Sequence, residues 1–337
     1  MDNEPSTERR TFLKLVLAFL IGLAIPFGVS EAAVQDNFGL SEPYAGLEKA
    51  YLKEYPKLQE VMDVMVGTYA GQLNDPAQDI LHVRVVSALA YRMANELTLQ
   101  TKERMLFVTA ALLHDISKQD KKVLLTDPIV FAQSAELVTT LWKAGFLKDS
   151  KRFWTDEKLL KMPSVGGNLA LIHHITGAFQ AGQILKKAGF AEPDIKTVQM
   201  AIICHSTCYW YFRDAVDNFA QSEDAWQAIY PEPIGNIALF VTDADLVSQF
   251  VPESVVPNGS KWREIAKQRW GAKNTQEEAH IVYYVFFRLY KEARTKQGKE
   301  LAREKWDVIR PALVKLMGLD IADDPIKKLG VPAAFKK

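Results

Sequence analysis

Histidine and aspartate are adjacent at His114 and Asp115 of this chain. An imidazole nitrogen and a carboxylate oxygen on one helical turn are ligands that suit first-row divalent metal ions. Five of the six histidines and two later aspartates follow an order that suggests a single site. In chain order the candidate ligands are His82, His114, Asp115, His173 or His174, His205, and Asp243 or Asp245. The pattern predicts a metal site.

Apolar residues recur at helical spacing through most of the chain, and strand patterns are scarce, so the predicted fold is all-α. Each candidate ligand falls within a predicted helix, and the facing helices of a bundle can project such ligands inward. The predicted helices begin at Pro76 and then run Thr101 to Asp115, Asp127 to Ala144, Leu169 to Ala188, Asp194 to Asp217, Ile234 to Phe250, Thr275 to Lys296 and Leu301 to Met317, with a loop from Lys148 to Asn168.

The composition limits the classes of partner. The chain has 337 residues, enough for one large domain with an extension. Lysine plus arginine and aspartate plus glutamate balance at 41 each, so no overall field attracts duplex nucleic acid or a membrane surface. The two cysteines, Cys204 and Cys208, flank His205. They are read as small core residues, with soft metal ligands as the alternative.

The N-terminus resembles an export signal. Arg9 and Arg10 precede an apolar stretch over residues 15–29, and small residues follow near Ala32. A charged start, an apolar middle and a small-residue exit are the parts of a secretory signal. The paired arginines are typical of the twin-arginine type, which exports folded proteins. The prediction is a periplasmic bacterial protein, with a membrane anchor as the alternative if the segment is not cleaved.

The motifs as a set resemble the HD-domain superfamily of metal-dependent phosphohydrolases, over roughly residues 78–250. His82 lies in His-Val-Arg-Val-Val, similar to the opening helix of such domains. His114 and Asp115 follow Ala-Leu-Leu as in the family string ALLHDIGK, with Ser117 in place of glycine and Lys118 retained. His205 ends an apolar helical run, which resembles the fourth motif.

Two positions leave alternatives. Helical neighbours point about 100° apart, so only one of His173 and His174 can reach a metal. The family frame, with Gly177 and Ala178 downstream, fits His173. The Ala-Asp-Leu string fits Asp245, and Asp243 is then an alternative ligand or a brace for a ligating histidine.

The resemblance implies a helical HD bundle and one or two divalent ions, which could be Mn, Fe, Zn or Ni. Asp115 would bridge two ions, with His82, His114 and Asp245 on one and His173 and His205 on the other. A single ion on His82, His114, Asp115 and Asp245 is the alternative. Lys118 would neutralise charge on a phosphoryl group.

The expected substrate is a small phosphorylated molecule, for which a nucleotide is one candidate. Arg84 and Arg213 are candidate phosphate contacts.

The predicted divisions of the chain are a signal over 1–32, a linker and lead-in helices over 33–75, an HD domain over 76–255 and a C-terminal helical extension over 256–337. The oligomeric state is not predicted.

Two other functions fit the same motifs. Inositol oxygenase and its di-iron relatives share the ligand order, and His205-Ser206 and Asp245-Leu246-Val247-Ser248 are similar to their strings. A binding module that has kept the fold without catalysis is the third interpretation. His280 has no place in the pattern and is read as structural.

Overall fold

The computed structural model describes residues 40–70, 76–97, 99–117, 136, 173–205, 235–249 and 261–336. Eleven helices lie in these ranges, which contain no strand, so the predicted all-α class is confirmed. None of the helices in this part of the chain is long and apolar enough to cross a membrane. The predicted signal over 1–32, the predicted helix from Asp127 to Ala144 and the predicted loop from Lys148 to Asn168 are not among the described ranges, apart from residue 136.

Four helices form the first half of the described fold. Their bounds are α1 Tyr44–Glu54, α2 Lys57–Ala70, α3 Pro76–Asn95 and α4 Thr101–Leu113. Proline at the start of α3 has no N–H to leave unsatisfied there, which is why this position tolerates it. The Glu103 carboxylate accepts a hydrogen bond from the Gln100 amide at 3.1 Å and fixes the start of α4. The second half of α4 is apolar and wholly buried.

Three helices then bring the later motifs to the same core. Their bounds are α5 His173–Lys187, α6 Glu192–His205 and α7 Gly235–Ser248. Gly189 has φ +68°, a backbone conformation that favours glycine, and ends α5. The Phe190 amide donates to the Leu185 carbonyl at 2.9 Å across this turn. The short connection lays α6 directly against α5.

The site is enclosed by α3, α4, α6 and α7, which pack against one another. Helix α5 covers α6, while α1 and α2 cover α3 and α4. A single cluster of buried apolar side chains runs through all of these helices and continues into the C-terminal ones. The lead-in helices and the C-terminal extension therefore share their core with the helices that carry the motifs.

The C-terminal part contains α8 Lys261–Trp270, α9 Thr275–Glu292, α10 Lys296–Leu316, α11 Pro325–Leu329 and a 3-10 turn Ala333–Phe335. The helix predicted from Thr275 to Lys296 ends early, at Glu292. Thr295 is extended and its hydroxyl accepts from the Gly298 amide at 2.9 Å, so it caps a new helix. Helix α8 was not predicted, because its apolar residues are too few to form a clear stripe.

Candidate metal centre

Five helices deliver six polar side chains to one buried cluster. His82 lies within α3 and Asp245 within α7, as predicted. Of the other four, His114 and Asp115 directly follow the last residue of α4, and His173 and His205 belong to the described parts of α5 and α6. His114, Asp115, His173 and His205 are each at most 4% exposed. We call these six residues the His/Asp cluster.

Asp115 lies at the centre of the cluster, with histidines on both of its oxygens. Its Oδ1 lies 3.0 Å from His173 Nε2 and 3.6 Å from His205 Nε2. Its Oδ2 lies 3.4 Å from His82 Nε2 and 3.5 Å from His114 Nε2. The two oxygens of one carboxylate therefore face two separate sets of nitrogen atoms.

Asp245 lies on the His82 and His114 side. Its Oδ1 is 3.2 Å from His82 Nε2 and 3.8 Å from His114 Nε2. Three overlapping sets have potential ligand atoms that all lie within 4.8 Å of one another. These sets are His82, His114 and Asp115; His114, His205 and Asp245; and Asp115, His173 and His205. The cluster could hold a metal ion.

Backbone carbonyls orient two of the histidines. His114 Nδ1 lies 2.6 Å from the Ala111 carbonyl oxygen, and His205 Nδ1 lies 2.5 Å from that of Ile202. A carbonyl can only accept, so Nδ1 of each ring carries the proton and donates it. In the neutral ring Nε2 then has a lone pair, which points into the cluster. This is the usual arrangement of a metal-ligating histidine.

Ser248 orients His82 in the same way. The Ser248 hydroxyl donates its proton to the Asp245 carbonyl oxygen at 2.6 Å. His82 Nδ1 lies 3.3 Å from the same hydroxyl, which is left to accept. In the neutral tautomer that donates through Nδ1 to Ser248, the Nε2 lone pair of His82 faces Asp115 and Asp245. Sequence reasoning missed Ser248, although its position three residues after Asp245 places it on the same helical face.

The electrostatics leave the cluster rich in electron-pair donors. Burial lowers the pKa of His114 from 6.5 to about 3, although Asp115 and Asp245 oppose the shift. For Asp245, burial raises the pKa, but contact with His82 and the charge of His114 outweigh it and hold the pKa well below its usual value. His114 Nε2 is fully buried and makes no hydrogen bond among the described residues. Neutral nitrogens and carboxylate oxygens thus face each other, which a cation between them would relieve.

Asp243 has a different role from the one predicted. Its side chain is fully buried, and its carboxylate accepts hydrogen bonds from the Arg294 amide at 3.0 Å and the Thr295 amide and hydroxyl, both at 2.7 Å. Burial raises its pKa to about 6. Neither an alternative ligand nor a brace for a histidine, it fixes the start of α10 against α7. A β-carbon at Gly298 would overlap this carboxylate.

Arg84, predicted as a phosphate contact, has a partner within the fold. It is 8% exposed, and its Nε and Nη2 donate to the two Glu48 carboxylate oxygens at 2.8 and 2.5 Å. This bidentate ion pair joins α1 to α3. Three other predicted residues cannot be placed: Lys118 and Arg213 lie outside the described residues, and the His174 side chain is not described.

Ser117, which replaces the glycine of the family string, has a structural role. Its hydroxyl donates to the His173 carbonyl at 2.8 Å and lies 2.7 Å from the Thr176 hydroxyl. It is 1% exposed and ties the turn after α4 to the first turn of α5. Ser117 therefore holds His173 near Asp115, a role that the sequence pattern does not reveal.

Comparison of the chain with protein-family models, with curated proteins and with solved structures finds no match in any of the three. The likeness to HD domains thus depends on the motifs and on the His/Asp cluster that the helices assemble. An all-α fold with such a cluster is compatible with an HD-type domain.

Proposed function

We propose that this chain is a metal-dependent phosphohydrolase that acts on a small phosphorylated molecule. One observation carries the proposal: buried imidazole lone pairs and carboxylate oxygens face each other at 3.2–3.8 Å around Asp115 and Asp245. No proton lies between them in the histidine tautomers that Ala111 and Ser248 impose. Divalent cations fit this donor set.

The two faces of Asp115 suggest two ions. His82, His114 and Asp245 would hold one ion and His173 and His205 the other, with Asp115 shared between them. Divalent ions in such a pair lower the pKa of bound water and clamp a phosphate during attack. The role of the protein is to keep the Nε2 atoms of His82, His114 and His205 directed inward, through the hydrogen bonds to Ser248, Ala111 and Ile202.

The test is to measure the metal content of the protein and its hydrolysis of an activated phosphodiester such as bis(p-nitrophenyl) phosphate. We expect about two metal ions per chain, as in two-metal phosphatases. His173→Ala should lose about one of them, and His114→Ala should lose the other, because the two histidines belong to different ions in this assignment. The matched control is His280→Gln, since His280 lies outside the cluster with its Nε2 3.0 Å from the Gly330 carbonyl oxygen.

A wild-type protein that takes up no Mn²⁺, Fe²⁺, Zn²⁺ or Ni²⁺ would refute the proposal. Equal metal content in His114→Ala and His280→Gln would refute it as well. Two metal ions without hydrolysis of any phosphate ester would refute the activity but leave the metal site standing.

A di-iron oxygenase is the second candidate function. The observation that favours it is the ligand set itself, because a bridging carboxylate with imidazole nitrogens on both sides suits iron as well as manganese or zinc. Iron retained through purification, with oxygen consumption and no phosphate release, would favour this function over hydrolysis. Manganese or zinc with phosphate release would exclude it.

A further inference from the structure

Tyr69 carries a buried hydroxyl that is not part of the His/Asp cluster. It lies in the last turn of α2 and its side chain is 0% exposed. The hydroxyl makes no hydrogen bond among the described residues. A buried hydroxyl without a partner is unfavourable, so native proteins seldom keep one without a reason.

The surroundings of this hydroxyl point to the His/Asp cluster. Helix α2 packs against α3, which carries His82, and against α4, which leads into Asp115. Burial raises the pKa of Tyr69 well above 10, and the charges acting in the same direction are those of Asp115 and Asp79. Asp79 is 4% exposed and lies one helical turn before His82 on α3. A phenol hydroxyl can donate a hydrogen bond, and that of Tyr69 lies within electrostatic range of Asp115.

Formal charge indicates what kind of ligand would meet this donor. Asp115 and Asp245 supply two negative charges, and the histidines bind metals in their neutral form. Two divalent cations would leave this site with a positive excess, which attracts an anion. A phosphate has more acceptor oxygens than two metal ions occupy, so at least one oxygen is left for a donor from the protein.

We propose that Tyr69 binds ligand at this site, and that its hydroxyl donates a hydrogen bond to an oxygen of a phosphate held beside Asp115. The proposal rests on the proposed phosphohydrolase function and deepens it, because it names a residue outside the metal ligands that recognises the substrate. Helix α2 becomes part of the substrate site instead of a lead-in segment.

Tyr51 provides a matched control. It is also a fully buried tyrosine, on α1, and its hydroxyl also makes no hydrogen bond by distance and angle among the described residues. The groups that act on it are Glu48, Arg84 and Ser87, away from the His/Asp cluster. Tyr51→Phe thus removes a buried tyrosine hydroxyl with polar neighbours of its own, without touching the proposed ligand site.

The experiment is calorimetric titration of inorganic phosphate into Mn²⁺-loaded wild-type, Tyr69→Phe and Tyr51→Phe proteins, with metal content measured for each. We expect Tyr69→Phe to keep the metal content of wild type and to bind phosphate about tenfold more weakly, the effect of one lost hydrogen bond. Tyr51→Phe should match wild type in both measurements.

Three results would overturn the proposal. The first is equal phosphate affinity in wild type and Tyr69→Phe, or an equal loss in both tyrosine variants. The second is a wild-type protein that binds Mn²⁺ but no phosphate. The third is a clear fall in the melting temperature of metal-free Tyr69→Phe relative to metal-free wild type, since the hydroxyl would then have a partner within the fold. A wild-type protein that binds no metal would remove the proposed function, and this proposal with it.

Discussion

Helix α7 carries two aspartates, the fully buried Asp243 and the 18% exposed Asp245, and the partners of these aspartates differ in kind. Asp243 is surrounded by donors, namely the Arg294 and Thr295 amides and the Thr295 hydroxyl. Asp245 and its neighbour Asp115 face histidine nitrogens whose lone pairs point at them. A buried carboxylate that faces donors needs nothing further, whereas one that faces other acceptors needs a cation. This contrast separates a structural acid from one that could bind a metal ion on the same helix.

Replacing Asp115 should have the largest effect. Asp115→Asn removes the carboxylate whose two oxygens serve both sides of the cluster, and we expect metal binding to be lost. The affinity should fall by more than about 100-fold, since even residues that only orient ligands contribute about 10–100-fold. The metal-free variant should melt at or above the wild-type temperature, because an amide can donate to a histidine lone pair. Metal titration and thermal unfolding measure the two effects, and a variant that keeps its metal would break the contrast.

Acid should act in opposite directions on His114, in the His/Asp cluster, and on Asp243, on the other side of α7. In the metal-free protein, His114 titrates near pH 3 when folded and near 6.5 when unfolded, so the unfolded state takes up more protons between these values. Stability from His114 is present above pH 6.5 and is lost as the pH falls toward 3. The loss reaches about 5 kcal/mol at most.

Asp243 shows the reverse dependence. Its pKa is raised from 3.8 to about 6, so its contribution is present below pH 3.8 and is lost as the pH rises through 6. Urea unfolding between pH 3 and 8 tests both slopes. We expect His114→Gln to flatten the acid side of the metal-free curve and Asp243→Asn to change the slope with the opposite sign. Two variants with the same slope as wild type would contradict these assignments.

Truncation of Asp243 should destabilise the fold whether or not metal is bound. Asp243→Ala leaves two amides and one hydroxyl without their acceptor, and we expect the free energy of unfolding to fall by about 3 kcal/mol. Metal content per folded chain should be unchanged, in contrast to Asp115→Asn. Denaturant titration with and without Mn²⁺ measures this. Loss of metal from Asp243→Ala with an unchanged free energy of unfolding would contradict this prediction, because Asp243 would then support the His/Asp cluster.

The smallest effect is expected at Ser248. Ser248→Ala removes the acceptor that fixes the His82 ring, while leaving every candidate ligand in place. Metal affinity should fall by about tenfold, the low end for a group that orients a metal ligand. Ser87→Ala is a suitable control, because the Ser87 hydroxyl is also buried and donates to the Val83 carbonyl within α3. Equal metal affinity in the two variants would show that Ser248 does not orient His82.

Much of the site could be predicted, because residue type and spacing within each motif are local properties of the sequence. The His114-Asp115 pair, the order of the later histidines and the helical spacing of apolar residues predicted an all-α fold with a buried His/Asp cluster that could bind metal, and this prediction is confirmed. The roles of Arg84 and Asp243 were not predictable in the same way. Each depends on a residue distant in sequence, Glu48 for Arg84 and Thr295 for Asp243.

For helix α7, the sequence did not reveal which of Asp243 and Asp245 faces the His/Asp cluster. Its residues Val241, Asp243, Ala244 and Val247 are all buried, so no exposed face marks which aspartate points to the metal site. A helix that is buried all round has no amphipathic pattern from which to read direction. His173 and His174 posed the same problem, and the structure places His173 beside Asp115.

The sequence by itself determined the helical class, the ligand types and their order along the chain, because residue type and spacing act locally. The tertiary structure alone decided which carboxylate faces donors and which faces histidine nitrogens, that Ser117 and Ser248 contact the histidines, and that α2 packs against α3 and α4. Those outcomes depend on how α2, α3, α7 and α10 pack. Packing joins residues that are far apart in the chain, and no local pattern records it.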